Sequence, residues 1–137
     1  MSHMEIIPGL WLGNQFSTTI FTGNSVLSIG CNPKKSFDNH LKLSLKDSRD
    51  SDLKSILRDA LKFIDNSLKS NNKILVHCKA GMNRSPAVVI AYLVIYKSYN
   101  IDDASQFVKI KKPSIQLHKH YLNDIEEYLC TQNCKFT

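Results

Sequence analysis

Apolar and polar positions recur with two different periods along this chain, and the switch from one to the other marks out its elements. From Glu5 to Leu12 the residues are mostly apolar but carry Pro8-Gly9 in their middle, which predicts a short extended piece broken by a turn. Val26-Leu27-Ser28-Ile29 reads as a buried strand, closed by Gly30 and an Asn32-Pro33 turn. Leu41, Leu43 and Leu45 alternate with Lys42, Ser44 and Lys46, the period of a strand with one buried face. A polar loop holding Asp47, Arg49, Asp50 and Asp52 follows.

The period then lengthens. Leu53, Ile56, Leu57, Ala60, Leu61, Ile64 and Leu68 recur at three- and four-residue steps, which predicts an amphipathic helix ending near Asn71-Asn72. Ile74-Leu75-Val76 is a short unbroken apolar run, the pattern of a central strand buried on both faces. A helix between two strands implies parallel pairing. Ser85-Pro86 opens a stretch through Ile95 that is apolar on most sides; proline suits a first helical turn, and such a helix must pack centrally against the sheet. Two more helices are expected, from about Asp102 to Lys111, stopped by Pro113, and from Leu117 to Cys130, with Leu117, Tyr121, Leu122, Ile125 and Leu129 on one face. The fold class is α/β, with a helix-rich second half.

Composition narrows this picture. The 137 residues, 42% hydrophobic and 22% charged, fit one globular domain, taken as residues 4–134, with Met1-Ser2-His3 read as a tag remnant. No apolar run approaches the roughly 18 residues of a membrane span, and no signal peptide is visible. Four cysteines, Cys31, Cys78, Cys130 and Cys134, are too few and too unevenly spaced for a disulfide scaffold or a zinc site, so free thiols in a reducing, cytoplasmic setting with access to the nucleus are expected. The net charge of +6 favours anionic partners. Most of the excess is scattered lysine, with no arginine-rich run interleaved with aromatics, so nucleic acid is not expected among them.

The chemistry concentrates where the buried strand meets Cys78. A strand, then five residues including Gly81, then Arg84 and Ser85 opening a helix, make a tight loop whose backbone N–H groups converge beside the helix N-terminus. Gly81 admits the conformations that close the curve. Arg84 offers a planar fork able to hold two phosphate oxygens, which lysine cannot. The same field favours a thiolate at Cys78, an in-line nucleophile under a bound phosphoryl group, with a phosphocysteine intermediate that water hydrolyses. Covalent catalysis of this kind needs no metal and no cofactor. The plain alternative, a small buried cysteine and a surface arginine, does not account for both pairs, His77-Cys78 and Arg84-Ser85, in this order.

Phosphoryl transfer also needs a proton donor for the leaving oxygen and a base for water. Asp47, Asp50 and Asp52 share the loop after the alternating strand, and spacing alone does not separate them; Asp50 and Ser51 suit capping the helix that starts near Asp52. Ser85 either donates to the departing thiolate or simply caps its helix. His77 points away from the pocket and supports the loop from behind. His3, His40, His118 and His120 belong to no visible constellation.

The sequence His77-Cys78-Lys79-Ala80-Gly81-Met82-Asn83-Arg84-Ser85 resembles the signature of the dual-specificity phosphatases, in the protein-tyrosine-phosphatase superfamily. Ile7 to Asn14, Leu43-Ser44-Leu45-Lys46-Asp47, Pro86 to Tyr92 and Lys111 to Ile115 also resemble segments of that family, so the likeness covers nearly the whole chain. It implies a small, mostly parallel sheet flanked by helices. It further implies Cys78 as nucleophile, Arg84 as phosphate clamp, Asp47 as acid, Ser85 as helper of phosphocysteine breakdown, and Lys79, Ala80, Gly81, Met82, Asn83 and Arg84 as the substrate cradle. Phosphotyrosine, phosphoserine and phosphothreonine of proteins are the implied substrates, and a small atypical member acting as a monomer is expected. Lys79-Ala80-Gly81 is also similar to loops of phosphatases for phosphoinositides and other non-protein phosphates, the alternative substrate class; a non-catalytic phosphate-binding module is the third reading. Three features depart from the family pattern: a short Gln15–Val26 stretch, Trp11 where tyrosine is common, and no proline-asparagine pair within Ile115-Gln116-Leu117.

Overall fold

The computed structural model describes residues 3–46, 48 and 50–134. Five strands form one sheet in the order β1-β2-β5-β3-β4. β1 (His3–Ile7) and β2 (Leu10–Gly13) make an antiparallel hairpin around Pro8-Gly9, where Gly9 takes φ +86°, a region open to glycine. His3 opens β1 opposite Gly13, and its ring packs 5.2 Å from that of Trp11.

The remaining pairings are parallel. β5 (Ile74–His77) lies between β2 and β3 (Ser25–Ile29), and β4 (Asn39–Leu43) pairs with the far side of β3. The strands flanking α1 (Lys54–Lys69) are therefore not neighbours; β3 separates them. Burial explains the order. β5 is buried throughout and fills the centre, whereas β4 alternates half-buried and exposed residues and suits an edge. β4 ends at Leu43, two residues before the alternation does. Leu45 stays buried without strand pairing, because its carbonyl is used by the site described below.

The expected cap of α1 is also different. The helix begins at Lys54, whose N–H donates to Asp52 Oδ1 (3.1 Å), while the Leu53 N–H donates to Asp124 Oδ2 from the last helix (3.1 Å). Asp50 and Ser51 do not cap it; the Ser51 hydroxyl is engaged by Ser48 and Tyr121 instead. Only a tertiary contact accounts for that exchange.

α2 (Arg84–Lys97) is the central helix. Residues 84–94 are all buried against β2, β5 and the other three helices, and each of Val88, Val89, Ile90 and Leu93 contributes about 1.5–3 kcal/mol by leaving water. It ends at Ser98, whose left-handed conformation (φ 62°) turns its N–H back to the Leu93 carbonyl. α3 (Ile101–Lys111) is capped by Asn100, whose Oδ1 accepts the Asp103 N–H at 2.8 Å. α4 (Lys119–Cys134) starts two residues later than its apolar pattern, since the chain before it is drawn across the Cys78 loop. Among the described residues no helix is long and apolar enough to cross a membrane.

Candidate active site

β5 ends at His77, and the next six residues curl over its carboxyl end before α2 begins. Cys78, 2% exposed, lies at the base of that loop. The Gly81 N–H donates to Cys78 Sγ at 3.3 Å, and Ser85 Oγ lies 3.2 Å from the same sulfur. Ser85 does not cap its helix as one of its two readings had it. Its hydroxyl reaches Cys78 and, at 3.4 Å, the Gly13 carbonyl. With a single proton it serves one acceptor at a time.

The loop is braced on two sides. Gly81 has φ +74°, and a Cβ there would come 2.8 Å from the Gly13 carbonyl oxygen, so the end of β2 dictates glycine at this position. The Gln15 N–H donates to the Lys79 carbonyl (3.2 Å), which ties the 3-10 turn after β2 to the loop. On the opposite side the Gln116 N–H donates to the Met82 carbonyl (2.6 Å), and the His118 N–H to Asn83 Oδ1 (2.9 Å). Asn83 is thus a brace for the loop as well as part of it. His118, which the sequence leaves outside any constellation, meets the loop through its backbone.

Arg84 is 7% exposed, and its Nη1 donates to the Leu45 carbonyl at 2.8 Å. Its Nε is buried and donates to no group among the described residues. Gly30 makes room for the guanidinium: at φ +71°, a Cβ would overlap the Arg84 side chain and lie 2.5 Å from the Leu45 oxygen. Asp47, the acid implied by the family likeness, lies outside the described residues. Its neighbour Lys46 and the buried Leu45 follow β4 at the same carboxyl end of the parallel strands as Cys78. A buried thiol that accepts from a loop amide and lies beside a serine hydroxyl, with a buried arginine opening the next helix, is an arrangement for holding a tetrahedral oxyanion against sulfur.

Comparison with known proteins bears on the family. The model of the dual specificity phosphatase catalytic domain matches residues 13–130. The chain belongs to this family. Dual specificity protein phosphatase 5 of Rattus norvegicus is 28% identical over 134 residues, 91% of this chain and 35% of that protein. The candidate tyrosine phosphatase 123R of Invertebrate iridescent virus 6 is 38% identical over 86 residues, 63% of this chain and 61% of its own. The chain therefore spans less than two thirds of the length of these relatives. A crystal structure of human tyrosine phosphatase-like serine/threonine/tyrosine-interacting protein superposes with a TM-score of 0.87 at 25% identity, covering 95% of this chain and 97% of that one.

Behind the loop of this dual specificity phosphatase domain lies a polar chain that the sequence did not reveal. His77 is fully buried; its Nε2 lies 2.6 Å from Ser28 Oγ, and the same oxygen lies 2.9 Å from His40 Nε2. His40 therefore belongs to a constellation after all. Cys31 Sγ approaches the other nitrogen, His77 Nδ1, at 3.6 Å. A serine between the apolar Leu27 and Ile29 of a buried strand was the available signal, and the register that sets Ser28 beside His77 supplies its partner. Burial raises the Cys31 thiol, and the nearby Cys78 charge adds to this, against the pull of Arg84, Lys42 and Lys79. Lys112, another residue not singled out from sequence, is buried at 8% exposure with its Nζ 3.4 Å from Ser114 Oγ; burial lowers its pKa and the Cys78 charge opposes that.

Burial pushes His77 down to about 4, with the positive charge of His40 acting in the same direction and its backbone bond to Cys78 opposing. Below its ordinary value of 6.5 the unfolded imidazole binds a proton that the folded one refuses. The neutral ring's contribution, about 3 kcal/mol, is therefore fully present above pH 6.5 and drains away as pH falls towards 4. Urea unfolding across that range is expected to show His77→Gln less stable at neutral pH but with a flatter acid-side decline. Parallel declines in the two proteins would contradict the assignment.

Proposed function

We propose that this chain is a cysteine-dependent phosphatase that hydrolyses phosphotyrosine and phosphoserine or phosphothreonine in proteins through a phosphocysteine intermediate. The observation that carries this reading is the buried Cys78 sulfur within 3.3 Å of both the Gly81 amide and the Ser85 hydroxyl. The backbone of Lys79, Ala80, Gly81, Met82 and Asn83, with the Arg84 guanidinium, cradles the phosphoryl group. The Cys78 thiolate attacks phosphorus; the S–P bond forms as the P–O bond to the substrate oxygen breaks, and Asp47 gives that oxygen its proton. Water then attacks the phosphocysteine, Asp47 takes its proton, and the S–P bond breaks with Ser85 donating to the departing thiolate. His77 holds the loop from behind and does not touch the substrate.

Residues 4–134 act in this proposal as one catalytic domain, monomeric, in the cytoplasm with access to the nucleus, and with no part for nucleic acid. The charge of +6 supports phosphorylated, hence anionic, protein partners. Phosphate release from a phosphotyrosine peptide, a phosphothreonine peptide and a phosphoinositide tests the substrate class. Turnover of both peptides is expected, faster on phosphotyrosine because a phenol leaves more readily than an alcohol. Turnover of the phosphoinositide alone transfers the reading to lipid, and no turnover of any of the three defeats it.

A further inference from the structure

Tyr121 stands out among the buried polar groups. It sits in the first turn of α4 with no exposed surface, in a core that would accept phenylalanine, yet its hydroxyl points at the loop after β4. It lies 2.7 Å from Ser51 Oγ and donates at 3.5 Å towards the Lys46 carbonyl. Ser51 in turn donates to the Ser48 carbonyl at 2.8 Å, and the Ser51 N–H to the same oxygen at 3.3 Å. Each hydroxyl has one proton. With the Ser51 proton on Ser48, the tyrosine proton falls to Ser51, and the Lys46 carbonyl takes the longer, weaker share.

One tyrosine oxygen thus gathers residues 46, 48 and 51, on both sides of Asp47. The segment just before Tyr121 is fastened to the Cys78 loop by the Gln116 N–H on Met82 and the His118 N–H on Asn83. Three residues further along, Asp124 accepts the Leu53 N–H, and Glu127 pairs with Lys54. A single run of chain therefore grips the phosphate loop at one end and the carboxylate loop at the other.

We propose that Tyr121 is a positioning residue: through Ser51 and Lys46 it sets the Asp47 loop against the Cys78 loop, so that the acid meets the leaving oxygen. This rests on the proposed role of Asp47. A proton donor matters most when the leaving group is poor, because a good leaving group departs without a proton. Loosening the acid should therefore steepen the dependence of rate on leaving-group pKa, whereas general damage lowers every rate alike.

The experiment measures kcat/KM for Tyr121→Phe, Ser51→Ala, Asp47→Asn and the parent on aryl phosphates whose phenols span strong to weak acids. Tyr121→Phe keeps the ring and removes one hydrogen bond. It is expected to lose about 3- to 10-fold on phenyl phosphate, less than about twofold on the most acidic phenol ester, and to keep the parent's inhibition by inorganic phosphate. Ser51→Ala should follow in the same sense. A uniform loss across the series, or an unchanged slope, overturns the role of Tyr121 while Asp47→Asn still steepens it. If Asp47→Asn leaves the slope unchanged, the acid assignment itself fails and takes this inference with it; loss of turnover in Cys78→Ser is independent of both.

Discussion

Cys78→Ser is expected to release phosphate from p-nitrophenyl phosphate on the order of 10⁴-fold more slowly than the parent, or slower still. The substitution exchanges sulfur for a smaller oxygen at a site 2% exposed, with the Gly81 amide and the Ser85 hydroxyl still in reach, so the cradle should survive. What disappears is the nucleophile, since a serine hydroxyl beside these donors stays protonated at neutral pH and attacks phosphorus poorly. Inorganic phosphate should accordingly bind the variant within about threefold of the parent, because the proposed cradle holds it through the backbone and Arg84. Acid quench during turnover should trap phosphate on Cys78 in the parent alone. Activity of the serine variant within about 100-fold of the parent, with no trapped adduct in either, removes the covalent mechanism.

Arg84→Lys is the second large effect. Nη1 holds the Leu45 carbonyl at 2.8 Å while Nε has no acceptor among the described residues, so one planar group bonds the protein and retains donors for the substrate. An ammonium cannot do both: either the carbonyl of a buried residue loses its partner or the phosphoryl oxygens do. A fall of about 10²- to 10³-fold in kcat/KM is expected, close to that of Arg84→Ala, with weaker inhibition by inorganic phosphate. The retained charge is then seen to matter less than the fork. A lysine variant within about tenfold of the parent contradicts this.

These effects trace to residues legible in the sequence to different degrees. Ile74-Leu75-Val76 reads as a central strand because it is apolar on both sides, and it occupies the middle of the sheet. The amphipathic period of α1 and the all-round apolarity of α2 likewise survive into the structure, since burial of a stripe or of a whole cylinder leaves its spacing in the residues. Cys78, Gly81, Arg84 and Ser85 are legible for a related reason. They are close in sequence, and the strand-loop-helix that carries them is a local unit. The end of β4, the cap of α1 and the start of α4 are misread by a few residues, each because a partner remote in sequence replaces the local one: Arg84 for Leu45, Asp124 for Leu53, and Met82 with Asn83 for residues 116 and 118.

By itself, the sequence of this chain determined the α/β class, the central strand and helix, and the strand-loop-helix unit from His77 to Ser85, because periodicity and short-range spacing are properties of a linear chain. Only the tertiary structure decided that Ser28 and His40 stand behind His77, that Gly30 opens space for the guanidinium, that Lys112 lies buried, and that the Tyr121 hydroxyl meets Ser51 and Lys46. Each of these joins residues from separate elements, and strand order, crossover and helix packing set such distances in space without leaving a period in the sequence.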